Sequence, residues 1–349
     1  MLARVDRNRL EALLIELGQP SYRARQVLDA RRAGAVSWPD VTALPKALRA
    51  RLGEELSLWA LQPEDAQESA DGTIKWRMRG SDGVTVETVL IAHDRGRRTV
   101  CISSQAGCAL GCRFCATGLA GPGRDLSADE IADQAEFAAA QAATRGARLG
   151  NVVFMGMGEP LQNFEAVLGG VRTLRSVDGL GLSGRRIAIS TVGWVPGIRA
   201  LAESGEPVRL AVSLHGSDDA TRSELMPINT RWPIASLIAE CRRYCDTTGR
   251  RVFIEYLLLD GVNDAPADAR RLAELLRDGR FHVNLIEYNP TGTPYRASPG
   301  DARERFRAAL AAVGIEASVR RSRGADVDAA CGQLAGRSEP TLQLASSAK

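Results

Sequence analysis

The stretch 101–118, CISSQAGCALGCRFCATG, decides how the rest of this chain is read. It sets Cys108, Cys112 and Cys115 at C-x3-C-x2-C spacing, with Phe114 beside the last. Three thiols so close together on a glycine-containing loop are typical of metal ligation. Zinc closes its tetrahedron with a fourth protein ligand, whereas iron–sulfur clusters are held by Cys thiolates. No His and no fourth Cys lies within the loop, so one coordination position is filled from elsewhere. On spacing alone, a structural zinc knuckle and an iron–sulfur cluster both stay open.

Length and composition narrow the field. A chain of 349 residues is long enough for two domains or one barrel, and it buries enough surface to fold without disulfide staples. Its 44% hydrophobic and 25% charged content is that of an ordinary globular protein. The opening MLARVDRNRL has no apolar signal region, and no apolar run reaches membrane-spanning length. With seven cysteines, three of them clustered, the chain reads as cytoplasmic, with no membrane partner. The net charge of +3 is modest. Lysine occurs only at Lys46, Lys75 and Lys349, so the other 42 of 45 basic residues are arginine, suited to forked phosphate contacts and equally a mark of composition.

Outward from the cysteines, a period-two hairpin is expected around Ser81-Asp82-Gly83, from TIKWRMR and VTVETVLIA. Before it, QPEDAQESADG (62–72) reads as a linker. Earlier still, helices are expected at 7–17, capped by Asp6, at 22–32, capped by Ser21, and from Pro45 through Arg51. After residue 97 the pattern becomes strand then helix, with strands at 98–104, 151–157, 185–191, 208–214, 251–259 and 282–288. Helices at 128–144, with a capping box at Ser127 and Glu130, 232–247 and 265–277 lie between them. A helix near 302–313 and a strand near 316–321 follow. Repeated βα units imply an α/β fold with right-handed parallel crossovers, here a partial (βα)6 TIM-like barrel. The expected organisation is a helical accessory unit over 1–62, linker and hairpin over 63–96, a barrel core over 97–336 and a tail over 337–349.

Polar and glycine-rich elements fall at the carboxyl ends of these strands, where α/β barrels place their active sites. The cysteine loop follows the first strand, and Gly156-Met157-Gly158-Glu159-Pro160 follows the second. Ser190 ends the third, Ser213-Leu214-His215 the fourth, and Asn289 follows the sixth. His93 and His282 receive no role, and Cys241 and Cys245 read as core thiols. Cys331 sits in AACGQ without a sequence neighbour to pair with, and Cys101 precedes the cluster loop.

Taken in order, QPSYRARQ, VETVLI, SSQAGCALGC-x-FC-x-TG, MGMGEPLQN, SLH, PIN, NLIEYNP and RGADVDAACGQLAG resemble the RlmN/Cfr family of radical S-adenosylmethionine (SAM) RNA methyltransferases over residues 20–336. The resemblance implies that Cys108, Cys112 and Cys115 hold one [4Fe-4S] cluster per chain. It implies SAM contacts for Gly158, Glu159, Ser190, Ser213, Leu214, His215 and Asn289. An adenine ring carbon is electron-poor and does not attack a SAM methyl directly, so the family uses a covalent route. Cys331 would take a methyl group from one SAM, and a radical from a second SAM would then activate it for addition to the ring. Glu87 would remove the ring proton, and Cys101 would release the product as a disulfide with Cys331. The ending DAACGQLAG and the amino-terminal motif resemble the RlmN type, which acts on adenosine carbon 2 in 23S rRNA, at the peptidyl transferase centre, and beside the tRNA anticodon. The carbon-8 Cfr type and a non-catalytic metal-bearing RNA-binding module are the rivals. The implied partners are these RNAs and an electron donor such as flavodoxin or ferredoxin, with the chain a monomer. An adenine must leave its stack to be reached, and the amino-terminal helices and hairpin are the expected RNA grip. The chain departs from the family at Val192, Glu287 and Ala325.

Overall fold

A computed structural model describes residues 3–335. Helices α1 (Arg7–Glu16), α2 (Tyr22–Arg32) and α3 (Lys46–Glu55) form where leucines recur at helical spacing, burying Leu10, Leu14, Val27, Leu48 and Leu52. Asp6 caps α1 by accepting from the Arg9 N–H at 2.9 Å. Ser21 does not cap α2. Its backbone is already helical (φ −60°, ψ −29°), whereas a capping hydroxyl needs extended backbone to turn back onto the first turn. The third helix starts just after Pro45 and runs past Arg51 to Glu55. Strand β1 (Ala3–Arg4) pairs in parallel with β2 (Leu56–Ser57), closing this unit on itself.

Ten strands then form one sheet whose order follows the chain. Strands β3 (Leu61–Glu68), β4 (Ile74–Gly80) and β5 (Thr85–Ala92) run antiparallel into β6 (Arg97–Cys101). From β6 onward every neighbour is parallel: β7 (Arg148–Phe154), β8 (Ile187–Thr191), β9 (Arg209–Ser213), β10 (Val252–Leu258), β11 (Phe281–Glu287) and β12 (Ala317–Arg320). Helices α4 (Ala116–Ala120) and α5 (Ala128–Thr144) precede β7, and α6 (Phe164–Arg175) and α7 (Val195–Glu203) precede β8 and β9. Helices α8 (Asp219–Leu225) and α9 (Ile234–Thr248), then α10 (Pro266–Leu276), then α11 (Gly300–Ala311), precede β10, β11 and β12 in turn. Six βα units plus a closing strand make the expected partial barrel. Ser127 and Glu130 form their capping box, at 3.2 Å and 2.8 Å.

The expected linker is not one. Most of 62–72 is strand β3, the outer edge of the sheet, and its polar residues fit a strand with one neighbour and a wet face. The hairpin therefore continues the barrel sheet. The tail over 337–349 lies outside the described residues. Among the described residues, no helix is long and apolar enough to cross a membrane.

Ion pairs fasten the amino-terminal helices to α5. Arg4 Nε and Arg31 Nη2 reach Asp133 at 2.9 Å and 2.7 Å, both also bind Glu136, and Arg31 lies over the Trp59 ring at 4.1 Å. These side chains are almost wholly buried, so the pairs orient the unit on the barrel more than they add net stability.

Candidate active site

Alternation along the parallel strands sends every second side chain into one cavity of about 620 Å³. On β6 the inward series is Arg97, Thr99 and Cys101, and on β9 it is Arg209, Ala211 and Ser213, so each wall passes from cation to small or polar groups. The upper wall brings together Cys108, Cys112 and Cys115, Gly158 and Glu159, Ser190, Ser213, His215, Asn289 and both Cys101 and Cys331. A shallower depression of about 440 Å³ near Gly249, Arg280 and Glu316 holds none of the cysteines.

Burial disfavours the thiolate at Cys108 and Cys112 when they are unliganded. Burial pushes Cys108 up to about 11, and burial and the neighbouring thiolates push Cys112 well above the ordinary range. All seven cysteines are free thiols here, Cys101 and Cys331 included. Among the described residues, no group of three or more His, Cys, Asp and Glu side chains converges on a single ion. The three cysteines do interact electrostatically and share the cavity, which fits a cluster ligated at separate irons.

Around them the strand ends are locked together. Gly158 has φ +97°, and a Cβ there would meet Gln105 at 2.5 Å, so only glycine lets this turn approach the cysteine loop. Glu159 is 1% exposed; it accepts from the Leu161 N–H at 3.0 Å and the Val192 N–H at 2.8 Å, and burial pushes its carboxyl up to about 7. His215 adopts φ +55° and accepts on Nδ1 from the Leu257 N–H at 2.9 Å. Burial pushes its pKa down to about 3, so the ring is neutral and its Nε2–H is a donor. Leu214 is fully buried away from the cavity wall, so any ligand contact there is through backbone.

Cys331 is exposed, but to the cavity, so surrounding protein still raises its thiol pKa. Its loop hangs from the cluster loop and the β11 exit. Asn289 Nδ2 donates to the Cys331 carbonyl at 3.2 Å, and the Ala116 N–H donates to Gly332 O at 2.7 Å. Cys101, 7% exposed at the end of β6, has its thiol pKa raised by burial and then by the charge of Cys331, so the two sulfurs lie within electrostatic reach. Glu87 is not part of the cavity wall. Its Oε1 lies 3.3 Å from Lys75 Nζ and its Oε2 accepts from the Ala335 N–H at 2.8 Å.

Two residues escaped sequence reasoning. Arg222, 1% exposed behind Cys112, donates to Leu214 O (3.1 Å), Asn229 Oδ1 (2.7 Å) and Val192 O (2.7 Å). Burial pulls it down to about 10. Glu255 is the lone charge inside the apolar strand VFIEYLL, and that interruption was the available signal. The departures also find places. Val192 works through its backbone, Glu287 pairs with Arg303 at 2.7 Å, and Ala325 begins a single 3-10 turn.

Comparison with known proteins agrees with this geometry. The radical SAM superfamily profile matches residues 102–276. A "Probable dual-specificity RNA methyltransferase RlmN" of Moorella thermoacetica is 47% identical over 93% of this chain and 94% of its own length. The "Dual-specificity RNA methyltransferase RlmN" of an Anaeromyxobacter species is 46% identical over 95% of this chain and 90% of its own. A radical SAM methyltransferase crystal structure from Sphaerobacter thermophilus superposes with a TM-score of 0.88 at 48% identity, covering 97% of this chain and all of that one. Cysteine loop, barrel and motif order thus converge, and the chain belongs to the RlmN family of dual-specificity RNA methyltransferases within the radical SAM superfamily.

Proposed function

We propose that this chain methylates carbon 2 of an adenosine in 23S rRNA, at the peptidyl transferase centre, and of the adenosine beside the anticodon in tRNA. It would do so in the cytoplasm, as a monomer supplied with electrons by a flavodoxin or ferredoxin. The observation that carries this reading is that Cys101 and Cys331, 230 positions apart in sequence, open into the cavity that also holds the three-cysteine loop. When bound, a [4Fe-4S] cluster on Cys108, Cys112 and Cys115, together with SAM, supplies a methyl group and a hydrogen-abstracting radical. The chain's own residues do the rest. Gly158, Glu159, Ser190, Ser213, His215 and Asn289 surround the space in which SAM is held, with Leu214 contributing backbone. Cys331 carries the methyl carbon to the ring, Cys101 displaces the product from it, and Glu87 takes the ring proton once Ala335 moves off its carboxylate.

The cavity rim offers an RNA contact beside the expected amino-terminal grip. Several arginines of the amino-terminal unit also bind protein: Arg4 of β1 and Arg31 of α2 reach α5, and Arg25 and Arg32 pair with Asp29. The cavity rim supports an RNA strand too. Arg97, Arg98, Arg320 and Arg323 all depress the His93 pKa, so they converge on one spot, and among the described residues only Arg323 of these is in contact with a carboxylate, Asp94 at 2.9 Å. Guanidinium groups gathered at a cavity mouth, Arg97 and Arg98 without a carboxylate partner among the described residues, attract a phosphate backbone.

Purified, cluster-reconstituted protein given SAM, a low-potential reductant and unmodified tRNA or rRNA fragment is expected to form 2-methyladenosine, read by mass spectrometry of nucleosides. Formation of 8-methyladenosine, or of none, overturns the reading. Glu159 adds a pH dependence. An ammonium group beside it favours the ionised carboxylate, so protonation below about pH 7 competes with SAM. The SAM Kd is expected to rise as pH falls, approaching tenfold per unit, and Glu159→Gln should flatten the slope. Equilibrium dialysis over about pH 6 to 8 measures it.

A further inference from the structure

Glu255 takes no part in holding the cysteine loop or the Cys331 loop, yet it is only 4% exposed and forms part of the cavity wall. A carboxylate is costly to bury without partners; here the Arg320 guanidinium lies within electrostatic reach of it, but only one of its oxygens is hydrogen-bonded. Asn284, opposite it on β11, donates from Nδ2 to Glu255 Oε1 at 2.8 Å. Turned the other way, the Asn284 amide would set its oxygen against the Glu255 carboxylate; as placed, its Oδ1 instead accepts from Ser318 Oγ at 2.9 Å, a hydroxyl 3.0 Å from His282 Nε2. The chain of bonds fixes Glu255 with Oε1 used. Among the described residues, no hydrogen bond reaches Oε2, which leaves an acceptor in the cavity wall.

The position of that acceptor narrows its use. After burial, the charge of Glu255 is the largest influence raising the Cys331 thiol pKa, so the carboxylate lies within electrostatic reach of the sulfur that must touch the substrate ring. A negative charge there opposes thiolate formation, so helping Cys331 to ionise is not its task. An acceptor oxygen in that place suits a donor on the base. An adenine offers one donor group at its pairing edge, the exocyclic amine, and a flipped base is read at that edge. We propose that Glu255 Oε2 accepts a hydrogen bond from the exocyclic amine of the extruded adenine, making Glu255 the specificity-determining residue that admits adenine and rejects bases carrying a carbonyl at that position. Guanine or hypoxanthine would set an acceptor oxygen against the carboxylate. The inference rests on the adenosine methylation proposed above and names how its substrate is chosen.

The test compares holoenzyme acting on one tRNA with adenosine, purine riboside or inosine at the target position. For the wild type, kcat/KM on purine riboside, which lacks the amine, is expected to fall roughly 10- to 100-fold, and on inosine at least as far. In Glu255→Gln, Asn284 holds the amide oxygen and turns the NH2 group to the cavity. Activity on adenosine should then fall while inosine gains relative to it, bringing their ratio within about threefold. Iron content, SAM affinity and the final extent of Cys331 methylation, read by protein mass spectrometry, should match the wild type, whereas the rate of that methylation rises as the charge opposing the thiolate is removed. Equal wild-type rates on adenosine and purine riboside overturn the proposal without any variant. A Glu255→Gln enzyme slowed on all three substrates with its preference kept, or weakened in SAM binding by the same factor, overturns it too. No methyl transfer to any RNA would instead sink the adenosine reading itself, whereas transfer indifferent to the amine sinks only this one.

Discussion

Cys331→Ala is expected to abolish methyl transfer to RNA, by on the order of 10⁴-fold or more, the scale on which enzymes suffer when a covalent catalyst is removed. The reason is chemical. The ring carbon is not a nucleophile, so a SAM methyl group has no direct route to it, and Cys331 supplies the only exposed cysteine thiol on the cavity wall. The loss should be clean, because the fold holds the Cys331 loop by its backbone. Asn289 binds the Cys331 carbonyl, Ala116 binds the Gly332 carbonyl, and neither bond uses the sulfur. Iron and sulfide content, SAM affinity and RNA affinity should therefore stay near wild type while product formation and the methyl mark on residue 331 both vanish. Retained turnover would remove the covalent route. Retained RNA binding with no turnover in the wild type would instead favour a binding module.

The sequence displayed the barrel because each βα unit carries its own signal: an apolar strand of five to seven residues, a capped or proline-started helix and a glycine or polar turn between them. Parallel order then follows from right-handed crossovers. The cysteine loop, the GMGEP turn and SLH were visible because close ligands and glycine turns are local features. Three things were not. Strand β3 is polar and pairs on one side only, so it lacks the alternation that marks a strand. Ser21 has the right side chain for a cap, but a helix start is decided by backbone angles fixed by packing. The arginine rim assembles from β6 and from the end of β12 and the segment after it, which meet only when the barrel curls. Glu255 and Arg222 belong with it, since each gains meaning from neighbours on other strands: Asn284 for one, the Val192 and Leu214 carbonyls for the other.

Cys101→Ala should produce the opposite failure, chemistry without release. If Cys331 adds its carbon to the adenine, the base is tethered to the protein until a second sulfur attacks Cys331 and forms a disulfide with it. Cys101 sits at the end of β6, buried, and among the described residues it is the cysteine whose pKa feels the Cys331 charge after burial itself. Its raised pKa fits a thiol kept protonated until the ring proton and the tether are in place, when Glu87 can serve as base. Removing it leaves no second thiol to resolve the adduct, because Cys108, Cys112 and Cys115 would be taken up by the cluster, and Cys241 and Cys245 lie buried on α9, outside the cavity wall. The variant is expected to accumulate a protein–RNA conjugate stable to denaturing gel electrophoresis, up to about one RNA per chain, with free product reduced by several orders of magnitude. Nuclease digestion followed by mass spectrometry should place an adenosine plus one carbon on residue 331. Glu87→Gln should lower the rate of conjugate resolution in the wild-type background, provided its carboxylate escapes Lys75 and Ala335 during turnover. If Cys101→Ala releases methyladenosine at the wild-type rate, the two-thiol mechanism is wrong, whatever the sulfurs' placement in the cavity.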